Sequence, residues 1–238
     1  MNIHRFVEVT STNDEARKLI SQGAPSGTVV VAQTQSAGRG RSGRSWFSPQ
    51  DDNLYMSYVH RTHLAPSECA GLTIDAGVAL AELLTRRGLD IELKWPNDVL
   101  LNGLKIAGIL CELVTDKERP VVIVGIGLNV NGSDFPVELS SIATSLFAAT
   151  HEPQDLERIE QELIREFERA FSMYEARRAP NVEGYRRHFR MQGRQVTLGG
   201  GEVGLIEGVG DDGGLVVNVG GESRSIRSGE VKFAGVTR

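Results

Sequence analysis

The dipeptide Asn102-Gly103 restricts the fold of this chain more than any other feature, because it stands between two apolar segments, residues 99–101 and 104–113. Both central residues of a type I′ turn need positive φ, and Asn-Gly adopts it readily. The sequence therefore predicts a β-hairpin. A two-residue turn then sets the register, with Leu101 opposite Leu104, Leu100 opposite Lys105, Val99 opposite Ile106 and Asp98 opposite Ala107.

One face of this hairpin is expected to carry charge. Because side chains alternate across a strand, Asp98 and Lys105 become diagonal neighbours within reach of one another. Lys94 joins them if the strand stays regular past Pro96, and Gly108 leaves room beside them. A rigid element is a good position for a catalytic cation, whereas a lone surface lysine with a screened partner would contribute little. The neighbouring charges favour the first interpretation of Lys105.

The segment Gly38-Arg39-Gly40-Arg41-Ser42-Gly43-Arg44 satisfies the G-x-G-x-x-G pattern of dinucleotide-binding folds. That pattern needs a tight strand-to-helix turn. Here five residues separate it from the predicted strand 28–32, and Ser48-Pro49 stands where the helix should begin, which argues against a dinucleotide site. Three arginines among glycines favour a loop that approaches a carboxylate or phosphate closely and is mobile until a ligand orders it. A solvated basic loop that touches nucleic acid is the alternative.

A third segment, Gly125-Ile126-Gly127-Leu128-Asn129, follows the predicted strand 120–124. Spaced glycines allow the backbone to approach a flat ligand, and the amide of Asn129 could contact a base edge. A glycine-rich turn is the equally simple alternative.

The remaining elements follow from periodicity and capping. A first helix is predicted to begin after Ser11, in a capping box of Ser11 with Asp14 or of Thr12 with Glu15, and to stop at Gly23. Two more helices are predicted at 66–87 and 155–177, and strands at 28–32, 54–59 and 91–95. After Gly193, β-branched pieces alternate with glycine-rich turns, as in a small barrel of hairpins. A boundary near residue 190 divides the chain into domains 1–190 and 191–238.

Composition limits the classes of protein to which this chain could belong. The chain is 40% hydrophobic and 24% charged, with a net charge of -5, which is ordinary for a globular protein. Cys69 and Cys111 are far apart, which argues against a disulfide and for a reducing cytoplasm. With no leader peptide and no 18-residue apolar run, we expect a soluble, unexported protein that does not enter membranes. His60 and His63 lack further ligands for a metal site.

Together, the arginine-rich segment followed by Trp46, and Lys94-Trp95-Pro96-Asn97-Asp98 followed by Lys105-Ile106-Ala107-Gly108-Ile109-Leu110, resemble the biotin–protein ligases. Ser11-Thr12-Asn13 and the segment 125–129 fall in that family's order. The resemblance implies an α+β fold, with a central mixed sheet flanked by helices as in the class II synthetase-like biotin–lipoate ligases, and a C-terminal SH3-like β-barrel. It implies that biotinyl-5′-AMP forms from biotin and ATP, and that biotin then passes to a lysine of a biotin carboxyl carrier protein.

The resemblance also implies roles for individual residues. The predicted biotin-binding residues are Ser11, Thr12, Asn13, Gln35, Gly38, Arg39, Gly40, Arg41, Lys105 and Gly108. The predicted ATP- or adenylate-binding residues are Arg39, Arg41, Arg44, Trp46, Lys94, Asn97, Lys105 and Asn129. Lys105 and Arg41 are the predicted catalytic cations, and Mg²⁺ accompanies ATP with Asp98 as its candidate outer ligand.

Lipoate–protein ligases and octanoyltransferases are the alternatives within the same fold, but the arginine-rich loop with Trp46 favours biotin. Some relatives carry an N-terminal DNA-binding domain that represses transcription. Only ten residues precede Ser11 here, so we expect no repressor function. The acidic net charge and the lack of a second basic patch also oppose nucleic-acid binding. The sequence leaves open the identity of the carrier protein and whether two subunits form a homodimer.

Overall fold

The computed structural model describes residues 2–50, 52–227 and 231–233. The helices are α1 Thr12–Ser21, α2 Leu72–Thr85, α3 Val137–Ser140, α4 Leu146–Thr150, α5 Leu156–Arg177 and α6 Val182–His188. The strands are β1 Asn2–Val9, β2 Thr28–Gln35, β3 Leu54–Arg61, β4 Ile91–Lys94, β5 Asp98–Leu101, β6 Leu104–Asp116, β7 Arg119–Leu128, β8 Gln195–Thr197, β9 Val203–Val209, β10 Leu215–Val219, β11 Glu222–Ile226 and β12 Lys232–Phe233. Short 3-10 turns lie at Pro66–Gly71 and Arg41–Gly43.

A seven-stranded mixed sheet forms the centre of the molecule, in the order β1-β2-β3-β7-β6-β5-β4. The β1–β2 pair is parallel, and the other pairs of this sheet are antiparallel. Strand β1 was missing from the sequence-based prediction, because its side chains show no clean alternation of apolar and polar residues. The predicted α+β class with a mixed sheet flanked by helices is confirmed.

Helices cover both faces of this sheet because successive side chains of each strand point to opposite faces. On β2, Val29 joins the large core that includes α2 and α5, whereas its neighbour Val30 joins a smaller cluster with Ala16 and Ile20 of α1. Helix α1 is therefore held against one face of the sheet. Its N-terminus points toward the part of the sheet where the glycines of β7 lie, since Gly125 is in contact distance of Asn13.

The hairpin around Asn102-Gly103 forms, with positive φ at both residues. The predicted register is right for Leu101–Leu104 and Leu100–Lys105 and wrong beyond them. Val99 pairs with Ala107 and Asp98 with Gly108, because a β-bulge adds one residue to β6 at this point. The bulge shifts the strand by one residue and still leaves Asp98 on the side of Lys105.

Helix α1 begins after Ser11 as predicted, but the predicted capping box is wrong. Ser11 has an extended N-cap conformation, and its side chain makes no capping hydrogen bond. The two acidic residues that the box required have other partners: Asp14 pairs with Arg39, and Glu15 with Lys18. Asp14 therefore uses its carboxylate in a tertiary ion pair with Arg39 and not in a capping hydrogen bond at the helix N-terminus.

The C-terminal region folds as five antiparallel strands in the order β11-β10-β9-β8-β12. The prediction of short strands and glycine-rich turns after residue 193 is therefore right. Within the described residues, β11 and β12 lie at opposite edges and do not pair, so a closed SH3-like barrel stays a prediction. Cys69 and Cys111 are free thiols. In the described part of the chain, no helix combines the length and apolar character of a membrane span.

Asp75 is a buried carboxylate that connects α2 to the end of α5 and the start of α6. Its side chain is 2% exposed, pairs with Arg177 and accepts a hydrogen bond of 2.7 Å from the backbone N–H of Asn181. Burial raises the pKa of Asp75 from 3.8 to about 6, and the Asn181 and Arg177 contacts offset only part of that effect. The ionised carboxylate therefore costs the folded state free energy at neutral pH.

We expect Asp75→Asn to gain stability relative to the wild type as pH rises. In the wild type, the raised pKa of Asp75 stabilises the folded state fully below pH 3.8, and this stabilisation is lost as pH rises through about 6. Asparagine keeps an acceptor for the Asn181 N–H without a titrating charge. The variant-minus-wild-type free energy of unfolding, measured with urea, should therefore rise by about 1 to 1.5 kcal/mol between pH 5 and pH 8. A difference that does not change with pH would contradict this assignment.

Candidate functional site

A cavity of about 160 Å³ lies between the start of α1, the β4–β5 turn, strands β6 and β7, and the loop of residues 38–46, which we call the arginine loop. The predicted site residues that line it are Ser11, Thr12, Asn13, Gln35, Arg39, Gly40, Arg41, Arg44, Trp46, Lys94, Asn97, Asp98, Lys105 and Gly108. Segments distant in sequence thus converge on one cavity. Its volume is below the roughly 300–1,000 Å³ of ordinary ligand sites, so the loop is close over the floor.

Two lysines flank one carboxylate at the hairpin end of the cavity. Lys105 Nζ lies 2.6 Å from Asp98 Oδ1. Lys94 stands directly opposite Asp98 in the β4–β5 pair. It reaches this position because the chain reverses at Trp95–Asn97, and not by the regular strand past Pro96 that the sequence allowed. Burial lowers the pKa of the Lys94 ammonium, with Asp98 opposing and Lys105 adding to that effect. The local balance is positive, which suits an anionic ligand.

The floor of the cavity is formed by two glycines beneath the indole of Trp46. A Cβ atom at Gly127 would lie closer than 3.0 Å to that indole, and one at Gly108 would lie 3.0 Å from it. Lys105 Nζ is 5.2 Å from the ring centroid, within the range of a cation–π contact. The indole Nε1–H is buried and, among the described residues, has no hydrogen-bond partner. It is a donor that a ligand acceptor could satisfy.

The opposite end of the cavity is a wall of neutral polar groups. Gln35 Oε1 accepts from the backbone N–H of Thr12 at 2.9 Å, and Gln35 Nε2 donates to Ser48 Oγ at 2.9 Å. Behind them, the buried Ser57 Oγ lies 2.8 Å from Thr12 Oγ1 and 2.5 Å from Asn13 Oδ1. These bonds fix the orientation of the amide and hydroxyl groups that face the cavity.

The arginine loop is itself a small hairpin. Gly40 N donates to Arg44 O at 2.7 Å, Trp46 N donates to Gly38 O at 2.8 Å, and Arg39 forms a bridge with Ser45. Arg41, at the tip, lies 3.4 Å from Asn97 Oδ1 across the cavity. Burial lowers the pKa of the Arg41 guanidinium, and Asp98 opposes that effect.

Gly38 and Asn129 are the predicted residues that do not line the cavity. A Cβ atom at Gly38 would lie closer than 3.0 Å to Ser48 Oγ and to the carbonyl oxygen of Trp46, so this glycine permits the loop to close on itself. Asn129 is 5% exposed, and its Nδ2 donates to the carbonyl of Thr144 at 3.0 Å. The amide therefore holds the segment that follows β7 against the sheet.

Several lining residues were not among the predicted ones. They are Ser42, Ser45, Trp95, Pro96, Ile109, Leu110, Gly125, Ile126, Gly127 and Val231. The glycines of β7 had a signal, the spacing of Gly125 and Gly127, whereas Val231 had none because it lies in the C-terminal region. A direct link connects that region to the site: the indole Nε1–H of Trp95 donates to Gly213 O at 2.9 Å.

Comparison with known proteins identifies relatives of this chain. A sequence profile of the biotin/lipoate A/B protein ligase family matches residues 4–131. The chain is 35% identical to a bifunctional ligase/repressor BirA of Bacillus subtilis, over 94% of this chain and 72% of that one. It is 34% identical to a biotin–[acetyl-CoA-carboxylase] ligase of Mycobacterium tuberculosis, over 93% and 85% of the two chains. A biotin protein ligase from Aquifex aeolicus, solved with biotin and ATP, superposes with a TM-score of 0.84 at 29% identity, covering 98% of both chains.

Proposed function

Because this chain belongs to the biotin/lipoate A/B protein ligase family, we propose that it is an ATP-dependent biotin–protein ligase. The observation that carries the proposal is the polarity of one cavity, which has a neutral amide and hydroxyl wall at Thr12 and Gln35 and cations at Lys105 and Arg41. Biotin matches this arrangement, since its ureido ring offers donors and an acceptor at one end and its carboxylate lies at the other. The dithiolane of lipoate could not use the remaining hydrogen-bonding capacity of this polar wall, and burying that capacity unused costs binding free energy.

In the first step, a carboxylate oxygen of biotin forms a bond to the α-phosphorus of ATP, and the bond from that phosphorus to pyrophosphate breaks. Two anions must approach each other, so fixed cations stabilise the transition state. We propose that Lys105 and Arg41 are these cations, and removing either should cost about 3–4 kcal/mol of transition-state stabilisation. Arg44, Lys94 and the indole of Trp46 are the proposed contacts of the phosphates and adenylate.

In the second step, the neutral amine of a lysine on the acceptor protein attacks the acyl carbon, and AMP leaves. Correct positioning of that amine is the main requirement. Biotinyl-AMP is a mixed anhydride that water destroys, so the arginine loop and Trp46 are proposed to exclude water from it.

The residues present fit a magnesium ion that arrives with ATP. In the described parts of the chain, no group of three His, Cys, Asp or Glu side chains is arranged to hold a metal ion. Mg²⁺ on a nucleotide needs only one or two carboxylates besides phosphate and water. Asp98 lines the cavity beside Lys105 and could supply that single contact. The ion would offset charge on the triphosphate.

Further parts of the proposal rest on resemblance. We propose a biotin carboxyl carrier protein as acceptor, residues 1–190 as the ligase domain, an SH3-like barrel for residues 191–238, and Asn129 as an adenine contact. The cytoplasmic location and the lack of a transcriptional-repressor role stay predictions, and a homodimer is a possibility that the sequence leaves open. A gel-shift assay with duplex DNA and sedimentation of the purified chain would test the last two.

Substrate choice tests the proposal directly. Purified protein with ATP and Mg²⁺ should exchange labelled pyrophosphate into ATP when biotin is added and should not do so with lipoate or octanoate. The expected discrimination is at least about 100-fold, since a site built from hydrogen-bonding groups rejects ligands that leave those groups unpaired. Exchange with lipoate and not with biotin would show that the chain is a lipoate ligase.

A further inference from the structure

A ring of four charged side chains joins the arginine loop to helix α1 and strand β6. Arg39 Nη1 lies 2.7 Å from Asp14 Oδ2, and Arg39 Nη2 lies 3.3 Å from Glu112 Oε2. Arg17 closes the ring, at 3.3 Å from Asp14 Oδ1 and 3.4 Å from Glu112 Oε1. Asp14 and Arg17 belong to α1, and Glu112 belongs to β6. The ring therefore connects three segments that are distant in sequence.

Both acidic members of the ring have contacts that do not depend on Arg39: Asp14 pairs with Arg17, and Glu112 accepts a hydrogen bond from Asn13. Glu112 Oε2 accepts a hydrogen bond of 2.7 Å from Asn13 Nδ2, and the other end of that amide contacts the buried Ser57. The hydrogen bond from Arg39 lowers the pKa of Asp14, and burial opposes it only in part. The Asp14 carboxylate therefore accepts a cation from the loop at neutral pH, and Glu112 is oriented toward the same cation by Asn13.

Arg39 and Arg41 have different surroundings although they are two residues apart. Arg39 directs both terminal nitrogens to protein carboxylates, so a substrate anion would have to displace two partners to bind it. Arg41 makes no ion pair within the described residues and faces Asn97 across the cavity. The charge of Arg39 is balanced by the protein, and that of Arg41 is available to a ligand.

We propose that Asp14 and Glu112 are positioning residues that hold the arginine loop closed through Arg39. Because Arg39 pairs with Ser45 inside the loop hairpin, fixing Arg39 also fixes the base of the strand that carries Trp46. The ring thus sets how often the loop opens, and with it how long an acyl-adenylate stays in the site. This last consequence rests on the proposed function; the closure itself does not.

Limited trypsinolysis without any ligand tests the closure. Trypsin can cut the loop after Arg41 and Arg44, and mass spectrometry can follow the fragments that result. Asp14→Asn and Glu112→Gln should each raise the initial rate of cleavage at these two sites about 3-fold or more, as expected for losing a partly exposed ion pair. Combining Asp14→Asn with Arg39→Gln should add little to Arg39→Gln alone, since that change already removes the contact with Asp14.

The matched control is Asp116→Asn, which removes another carboxylate of β6 that pairs with arginine, at 2.8 Å from Arg61 Nη1 and away from the loop. It should leave loop cleavage unchanged. Cleavage after Arg165 and Arg169, which lie inside α5, reports global unfolding, so the ratio of loop to helix cleavage separates local opening from loss of the fold. An unchanged ratio in Asp14→Asn and Glu112→Gln would overturn the proposal, as would an equal rise in the control.

Release of preformed biotinyl-AMP tests the consequence. Single-turnover chase experiments should show release about 3- to 10-fold faster in the two variants than in the wild type or in Asp116→Asn. If the wild type forms no biotinyl-AMP, the proposed function fails while the trypsin ratios still decide the closure. Faster cleavage with unchanged release would refute the link between the ring and adenylate retention.

Discussion

Lys105→Ala is expected to lower biotin-dependent pyrophosphate exchange by about 100- to 1,000-fold, the effect of removing one fixed charge from a site of this kind. The ammonium lies between Asp98, at 2.6 Å, and the face of Trp46, and its side chain is one-third exposed. A cation in this position can shift from Asp98 to an incoming anion without leaving the cavity. The loss should fall mainly on kcat, because the approach of carboxylate to phosphate needs the charge most in the transition state.

Stability should hardly change in the same variant. The pair with Asp98 is partly exposed, and such pairs are worth about 1 kcal/mol or less. Lys94 stays opposite Asp98 and keeps a positive partner for it. Urea unfolding should therefore agree with the wild type within about 1 kcal/mol. Lys18→Ala, which removes an exposed lysine of α1 that pairs with Glu15, is the matched control and should keep full exchange. Retained exchange in Lys105→Ala would refute the role assigned here.

Gly127→Ala should raise the KM for ATP by about 10- to 100-fold, the second largest effect that we expect. The new methyl group would lie closer than 3.0 Å to the indole of Trp46, which rests directly on this glycine. Overpacking of this kind costs about 1–3 kcal/mol, and tenfold in affinity corresponds to about 1.4 kcal/mol. Because Trp46 belongs to a loop that can move and β7 does not, the indole should yield and the substrate site should lose its cover.

Two further glycines separate this explanation from a general loss of stability. Gly125→Ala places its methyl group against Asn13, whose side chain is buried between α1 and the sheet, so the melting temperature should fall as well. Gly199→Ala meets nothing within 4 Å and should behave as the wild type. Steady-state exchange and thermal melts of the three variants would check this. A Gly127→Ala protein with unchanged KM would show that Trp46 does not contribute to binding in this position.

Much of the site could be predicted because its residues are concentrated in short segments with strong local requirements. Asn102-Gly103 requires a tight turn, which placed Lys105 on the side of Asp98 even though the bulge at Val99 altered the register. Strand β1 could not be predicted from its own residues. It forms because its backbone adds to β2 at the edge of the sheet and because Arg5 reaches the buried Glu160, at 2.7 Å.

The sequence by itself determined the local elements and the chemistry available to them: a hairpin with two lysines near a carboxylate, a loop rich in arginine, and a helix beginning after Ser11. Only the tertiary structure decided how two similar arginines are used. Arg39 meets Asp14 and Glu112, whereas Arg41 faces the cavity. Local propensity depends on neighbours within a few residues, but the partner of a charge depends on which distant segments the packed sheet and helix bring within about 4 Å.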